Sequence, residues 1–179
     1  MEVTYISILL QYLNIKIKTQ ICLLIINKKI KSIARKKAHS NLNLIHRSVG
    51  IFIVNEKNQM LMQKRCSNKD MDSSKWSYAV GGHVTYGQTY LQTATKEIQE
   101  ELGIKLKPKF IIKALIKMKQ ETEYTSLYKV KISSKTKLKL DKDEVEKIQW
   151  VDLNQLNTFI NTHPVVDWTL TAFKVAHYL

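Results

Sequence analysis

The sequence predicts an α/β domain in which one amphipathic helix lies, along the chain, between two groups of β-strands. Two short apolar runs separated by a polar turn, within residues 49–65, predict a β-hairpin. A capping-box pattern after residue 88 opens a helix of about 13 residues with an apolar stripe. With 179 residues, the chain has room for one ordinary domain and an appendage but not for two full-sized domains.

Local patterns justify the strands in order. Residues 49–54 are mostly apolar, and residues 60–65 begin with the apolar run Met-Leu-Met. Both flank the polar turn 55–59, so they predict the two arms of the hairpin. The segment 66–75 has no such pattern and predicts a loop. Beyond the central helix, β-rich runs predict more strands, and two helical segments follow up to Leu179. The remaining predicted strands are 76–80, 110–117, 126–132 and 148–151.

The central helix has the clearest boundaries. Thr89 and Gln92, three residues apart, form the capping box, and Gly103 stands where a left-handed glycine ends a helix. The pattern therefore predicts a helix that begins just after Thr89 and ends before Gly103. Its apolar stripe consists of Leu91, Ala94, Ile98 and Leu102.

Residues 1–34 differ from the rest of the chain and predict an N-terminal extension. Their two apolar runs, 3–15 and 21–26, are shorter than the roughly 20 residues that a transmembrane helix needs. The start also lacks the basic segment of a signal peptide, so we expect neither a transmembrane segment nor export. Alternating and β-branched residues predict short strands at 15–18 and 21–26. An edge-covering strand pair, a membrane-surface contact and a segment of little function all remain open for this extension.

Charge and cysteine content restrict the class of partner and the compartment. The formal net charge of +14 suggests a polyanionic partner, yet nine of the basic residues lie before Ser48, with Glu2 as the only acidic residue there. No aromatic residues are interleaved among those lysines, so a solvated face is favoured and a nucleic-acid partner is not expected. Two cysteines, Cys22 and Cys66, fit neither a disulfide framework nor a zinc site, and a cytoplasmic location is expected.

Three carboxylates on the central helix indicate a site for a cation. Glu97, Glu100 and Glu101 are spaced i, i+3 and i+4, so they lie on one face, where like charges repel. Taken alone, such a cluster is more often a solvated face. Gly81 and Gly82 precede the helix and allow a ligand to approach the main chain closely. Oxygen ligands and a nearby glycine turn together favour a hard divalent cation such as Mg²⁺.

These residues stand in a longer pattern that resembles the Nudix box. Gly82 is followed by five residues, Gln88, seven residues and then Lys96-Glu97-Ile98-Gln99-Glu100-Glu101-Leu102-Gly103-Ile104. The family's box has Glu where this chain has Gln88 and Arg where it has Lys96. In the family these two residues brace the loop against the helix, so the resemblance implies a weaker brace here between Gln88 and Lys96.

The resemblance implies a Nudix-type α/β/α sandwich around a mixed β-sheet, formed by residues 35–179. It also implies Mg²⁺ or Mn²⁺ bound by Glu97, Glu100, Glu101 and the carbonyl of Gly81, with these glutamates catalytic. The implied reaction is attack of water on a phosphorus atom of a small-molecule diphosphate. A glutamate of the helix, or one from a later loop such as Glu144 or Glu146, could take the proton of the water.

Within that family, the chain resembles the branch that contains isopentenyl-diphosphate isomerase. The resemblance implies a possible second metal site formed by three histidines and two glutamates, and a substrate-binding role for Arg65 and Lys69. The catalytic cysteine of the isomerase falls on Gly81, which disfavours isomerase activity. The residues of the implied second site are His39, His46, His83, Glu121 and Glu123.

Three hypotheses therefore follow from the sequence. The first is a Mg²⁺- or Mn²⁺-dependent Nudix hydrolase that cleaves a phosphoanhydride in a small organic or nucleoside diphosphate compound. The second is an enzyme similar to isopentenyl-diphosphate isomerase. The third is a non-catalytic module that binds a nucleotide or RNA.

Overall fold

The computed structural model of this protein describes residue 39 and residues 41–69, 71–119 and 121–179. The N-terminal extension predicted for residues 1–34, and the two strands predicted in it, lie outside the described residues. So do residues 35–38, and the boundary near residue 35 stays a prediction.

The described chain folds into seven strands, three α-helices and one short 3-10 helix. The strands are β1 (Ile45–Val54), β2 (Gln59–Arg65), β3 (Trp76–Tyr78), β4 (Val80–His83), β5 (Lys109–Lys117), β6 (Thr122–Lys131) and β7 (Val145–Asp152). Helix α1 spans Tyr90–Leu102, a 3-10 turn covers Leu153–Gln155, and helices α2 (Leu156–Thr162) and α3 (Asp167–Val175) follow.

All seven strands form one mixed sheet. Its main path runs β3-β2-β1-β6-β5, with β4 added to β1 and β7 added to β2. Strands β1 and β6 are parallel, and the other pairs are antiparallel. The predicted strand 76–80 is in fact two strands, because β3 pairs with β2 whereas β4 pairs with β1. Strand β6 begins at Thr122, four residues before the predicted start, where it pairs with the beginning of β1.

Helices cover both faces of the sheet and enclose two apolar cores. Ile51 and Ile53 of β1 pack against Ala94, Ile98 and Leu102 of α1. On the opposite face, a second core joins Phe52 of the same strand to side chains of α2 and α3. Alternate residues of β1 thus point into different cores, as strand geometry requires. The predicted α/β/α sandwich around a mixed sheet is confirmed.

Helix α1 begins and ends where the sequence predicts. The Thr89 side chain accepts a hydrogen bond from the backbone of Gln92, whose side chain in turn accepts from the Thr89 backbone, and Gly103 adopts φ 70° at the C-terminal end. The carbonyls of the last turn are also used, since Lys139 N donates to Leu102 O at 2.9 Å and Asp141 N donates to Glu101 O at 3.0 Å. The segment after residue 138 is thereby attached to the acidic end of α1. Among the described helices, none has the length and apolar character needed to span a membrane.

Candidate active site

A cavity of about 410 Å³ lies where β4, α1 and the loop 66–75 meet. Six acidic side chains line the cavity. Among the described residues, its lysine and arginine side chains number two, Arg65 and Lys69. The structure thus brings most of the predicted site residues into one acidic cavity. The six acidic residues are Asp72, Glu97, Glu101, Glu121, Glu123 and Glu144.

Strand register assembles the predicted histidine and glutamate cluster. His46 of β1 is the register partner of Glu123 in β6, and Ser48, two residues further along β1, is the partner of His83 in β4. Residues two apart on a strand share a face, so both imidazoles meet the Glu123 carboxylate. His83 Nε2 lies 3.0 Å and His46 Nε2 lies 3.3 Å from Glu123 Oε1.

His39 and Glu121 complete this cluster. Glu121 Oε2 lies 2.9 Å from His39 Nε2 and 3.3 Å from His46 Nε2. One ligand atom from each of His39, His46, His83 and Glu121 can be chosen so that all four lie within 4.8 Å of one another. Neither His46 nitrogen, nor Glu121 Oε2, has a partner in hydrogen-bond geometry within the described part of the chain. Imidazole nitrogens and carboxylate oxygens that converge in this way fit a metal ion between them.

Glu123 is held ionised by its neighbours. Its burial would raise its pKa, but the nearby imidazoles of His46 and His83 outweigh burial and lower that pKa well below its usual range. Burial acts on His46 in the opposite direction and lowers its pKa. The carboxylates of Glu121 and Glu123 more than offset burial and raise the pKa of His46 to about 9. Ser48 Oγ donates to Glu123 Oε2 at 2.8 Å and lies 2.7 Å from Thr125 Oγ1. Sequence reasoning missed Ser48 and Thr125, although their two-residue spacing from His46 and Glu123 was the available signal.

The three glutamates of α1 occupy different environments. Glu101 is buried, with 4% exposure, and its carboxylate accepts from Gly81 N at 3.3 Å and from Gln63 Nε2 at 3.2 Å. Burial raises the pKa of Glu101 to about 8, and the negative charges of Glu97 and Glu144 add to this. Burial also raises the pKa of Glu97, which lines the same cavity. Gln63 carried no sequence signal, because its role depends on β2 lying beside α1.

Glu100 lies apart from the other two. Its side chain is about half exposed, at 52%, and its Oε2 accepts from Lys96 Nζ at 2.7 Å on the outer side of α1. Gly82 lies so close to Glu97 that there is no room for a side chain, because a Cβ built there would lie 2.5 Å from Glu97 Cδ. The structure therefore brings Glu97 and Glu101 into the cavity, and it does not bring Glu100 there.

The two predicted substrate-binding cations lie at the wall formed by β2 and the loop that follows it. Arg65 Nη2 donates to Met71 O at 3.2 Å, which folds the loop back towards β2. Lys69 Nζ forms an ion pair with Glu144 Oε1. Of the two later-loop glutamates, Glu144 lines the cavity, whereas Glu146 lies on β7 and pairs with Lys64 Nζ at 2.8 Å.

Comparison with known proteins decides the family. A sequence profile of the NUDIX domain matches residues 44–171, which is most of the chain. The chain belongs to the Nudix family. That membership supports hydrolase activity in general, and Nudix proteins generally use divalent metals.

Three curated relatives span different activities. Nudix hydrolase 3 of Arabidopsis thaliana is 31% identical over 130 residues, or 65% of this chain, but the chain spans only 17% of that relative's length. Isopentenyl-diphosphate Delta-isomerase 2 of Photorhabdus laumondii is 29% identical, with 69% of this chain and 71% of the isomerase covered. Prenyl-diphosphate phosphatase of Methanosarcina mazei is 25% identical, with 67% of this chain and 71% of the phosphatase covered.

A solved Nudix-type structure shows the same fold. The MutT protein from Methanosarcina mazei Go1 superposes with a TM-score of 0.63 at 20% identity. The match covers 74% of this chain and 93% of that protein, so the sandwich described above extends over nearly the whole of the solved structure.

The structure shows which contacts are made by Gln88 and Lys96, the two residues that depart from the Nudix box. The brace expected between Gln88 and Lys96 is not formed: Gln88 Oε1 accepts from Thr93 Oγ1 at 3.1 Å, and Lys96 donates to Glu100. Gln88 instead braces the loop against the first turn of α1. Lys96 has become part of an exposed i, i+4 ion pair, which contributes little to stability.

Proposed function

We propose that this Nudix protein is a divalent-metal-dependent hydrolase that cleaves the phosphoanhydride of a small organic diphosphate. One observation carries the proposal: six acidic side chains line the cavity, whereas the lysine and arginine side chains among its described lining residues are only two, Arg65 and Lys69. A diphosphate would be repelled from such a surface unless divalent cations entered with it. The cavity therefore suits a metal-bound diphosphate rather than a free anion.

Two sets of donors suit two kinds of cation. Glu97, Glu101 and the carbonyl of Gly81 offer oxygen ligands, which Mg²⁺ or Mn²⁺ prefers, and Glu100 would join them only by leaving Lys96. The histidine cluster offers three imidazoles with the carboxylates of Glu121 and Glu123, a set that suits Mn²⁺ or Zn²⁺ better than Mg²⁺. Bound there, a divalent cation supplies charge neutralisation and lowers the pKa of a water molecule.

The protein's own residues then have distinct tasks. Arg65 and Lys69 bind the diphosphate oxygens through charge-assisted hydrogen bonds. Gln63 and the backbone N–H of Gly81 orient the Glu101 carboxylate by their hydrogen bonds. Attack of the water oxygen on phosphorus forms one P–O bond as the bridging P–O bond breaks, with the leaving phosphate taking the electron pair. A cavity glutamate takes the proton of the water.

An isoprenoid diphosphate is the substrate class that we favour. Two relatives carry names for prenyl-diphosphate and isopentenyl-diphosphate chemistry. The residues that line the cavity also include Val49, Met71, Tyr78 and Trp168, and a hydrocarbon tail would pack against such side chains. Nucleotides would instead present a polar base and ribose to them.

Isomerase activity is the second candidate, and the histidine cluster favours it. Against it stands Gly81, which leaves the cavity without a thiol at the position where the isomerase branch has its cysteine. Hydrolysis needs no such thiol, so a hydrolase could use the histidine cluster as a metal site although Gly81 has replaced the cysteine.

The deciding experiment measures phosphate release and product structure together. Full-length protein is incubated with Mg²⁺, Mn²⁺ or Zn²⁺ and a panel of isopentenyl, longer prenyl and nucleoside diphosphates. We expect metal-dependent phosphate release from isoprenoid diphosphates, with Glu97→Gln and Glu101→Gln each reducing it at least roughly a hundredfold. Glu100→Gln should reduce it less. An alkene shift without phosphate release would favour the isomerase, and salt-dependent RNA binding without turnover would favour a binding module.

A further inference from the structure

Lys69 already has an anionic partner in the cavity that the proposed substrate would occupy. Its ammonium pairs with the Glu144 carboxylate, and both side chains line the cavity. We propose that Glu144 is an internal competitor that occupies Lys69 until the diphosphate of the substrate displaces it. This inference rests on the proposed function, since it assigns the ligand of Lys69 as a diphosphate.

The ion pair is placed so that it can exchange. The Lys69 side chain is 20% exposed and that of Glu144 is 44% exposed, so water solvates both groups as they separate. Partly exposed ion pairs contribute little to stability, so their loss is easily offset by a new partner. A diphosphate carries more charge than one carboxylate and would hold the ammonium more strongly.

The backbone around Glu144 does not depend on this pair. Glu144 O accepts from Cys66 N at 3.0 Å, Val145 N donates to Asp141 O at 2.8 Å, and Asp141 N donates to Glu101 O at 3.0 Å. These bonds join β2, the turn before β7 and the end of α1 through main-chain atoms. The Glu144 side chain can therefore leave Lys69 while its backbone stays in place.

Exchange, rather than simultaneous binding, follows from the charges. A diphosphate bound to Lys69 with Glu144 still in contact would lie beside a carboxylate, and the two anions would repel each other. The Glu97 carboxylate lines the same cavity and adds to this repulsion. Substrate entry is thus coupled to the departure of Glu144, and return of Glu144 to Lys69 favours release of the less charged product phosphate.

A second ion pair nearby offers a matched control. Lys64 of β2 pairs with Glu146 of β7 at 2.8 Å, and both lie outside the cavity lining. This pair joins the same region of the sheet with the same chemistry. Asp72 supplies a different control, since it lines the cavity but pairs with Lys75 at 2.7 Å.

The test measures binding of magnesium-bound inorganic diphosphate to the full chain by titration calorimetry. We expect Glu144→Gln to lower the Kd roughly two- to fivefold, which is what loss of a partly exposed competing ion pair allows. Glu144→Asp, which keeps the charge but shortens the reach, should lower the Kd in the same direction. Lys69→Met should raise the Kd, and Glu144→Gln added to Lys69→Met should give no further change.

Four results would overturn the inference. Weaker binding by Glu144→Gln would show a supporting rather than a competing role. Absence of diphosphate binding by the wild-type protein would show that Lys69 does not bind diphosphate. Equal tightening by Asp72→Asn, or tightening that persists in the Lys69→Met background, would show a general charge effect. Glu146→Gln should leave the Kd unchanged. Because this assay needs no turnover, a substrate panel without hydrolysis would reject the proposed function while the Kd values still decide the role of Glu144.

Discussion

Replacing Gly82 by alanine should separate activity from stability. The new Cβ would lie 2.5 Å from Glu97 Cδ and 2.8 Å from Glu97 Cγ, whereas ordinary contacts begin near 3.4 Å. The Glu97 carboxylate must therefore move by about 1 Å, and a displacement of that size can reduce turnover roughly a hundredfold. The obstructing atoms belong to a flexible side chain next to the cavity, so the free energy of unfolding should fall by less than about 1 kcal/mol.

Gly87→Ala is the matched control, with the opposite expected signature. Apart from its two chain neighbours, no atom of the described residues lies within 4 Å of a Cβ built at Gly87. Its φ of +87° strains any other residue, which should cost about 1 kcal/mol of stability. Phosphate release and urea unfolding are measured on both variants. Wild-type activity in Gly82→Ala, or a loss of several kcal/mol in its stability, would refute the role assigned to this close contact.

Three further predictions concern the buried acids, the histidine cluster and the glycine turn. In metal-free buffer, the free energy of unfolding should fall as pH rises from 4.5 to about 8, because Glu101 keeps its proton in the folded chain but ionises in the unfolded chain. The full decrease is up to about 5 kcal/mol. Urea titrations at several pH values measure it, and Glu101→Gln should make the free energy of unfolding depend less on pH. His46→Gln should remove roughly one equivalent of bound Mn²⁺ or Zn²⁺ by elemental analysis, whereas His163→Gln, whose ring stacks on Phe159, should remove none; equal metal content in both variants would contradict the cluster as a metal site. Gly81→Cys should give a thiol that diphosphate protects from alkylation, together with a small alkene-shift activity on isopentenyl diphosphate; an unprotected thiol would place residue 81 away from the substrate.

Local sequence patterns predicted much of the fold, and they did so where local physics decides. Helix α1 begins after Thr89 and ends before Gly103 because both caps are properties of neighbouring residues. The division of the predicted strand 76–80 into β3 and β4 could not be predicted this way. It arises because the two halves pair with different strands that are distant in sequence.

The candidate site likewise contains some residues that local patterns predicted and others whose contacts depend on distant parts of the chain. The spacing of Glu97 and Glu101 was visible in the sequence, yet helical spacing alone could not show that Glu100 turns outward to Lys96. Gln63 was missed because its bond to Glu101 depends on sheet order. The family resemblance grouped the histidines with Glu121 and Glu123, and their actual convergence depends on the parallel register of β1 and β6.

The overall charge of +14 and the acidic cavity act on the substrate at different distances. Far from the protein, the net positive field attracts a diphosphate, and inside the cavity the carboxylates require a cation between them and the substrate. Raising salt from about 0.1 M to about 1 M shortens the Debye length from about 10 Å to about 3 Å. With saturating metal, kcat/KM should therefore fall severalfold while kcat stays constant, because screening weakens approach but not the chemistry of the bound complex. If kcat/KM proved independent of salt, the excess of lysine would have no part in substrate capture, and its role would lie elsewhere on the surface.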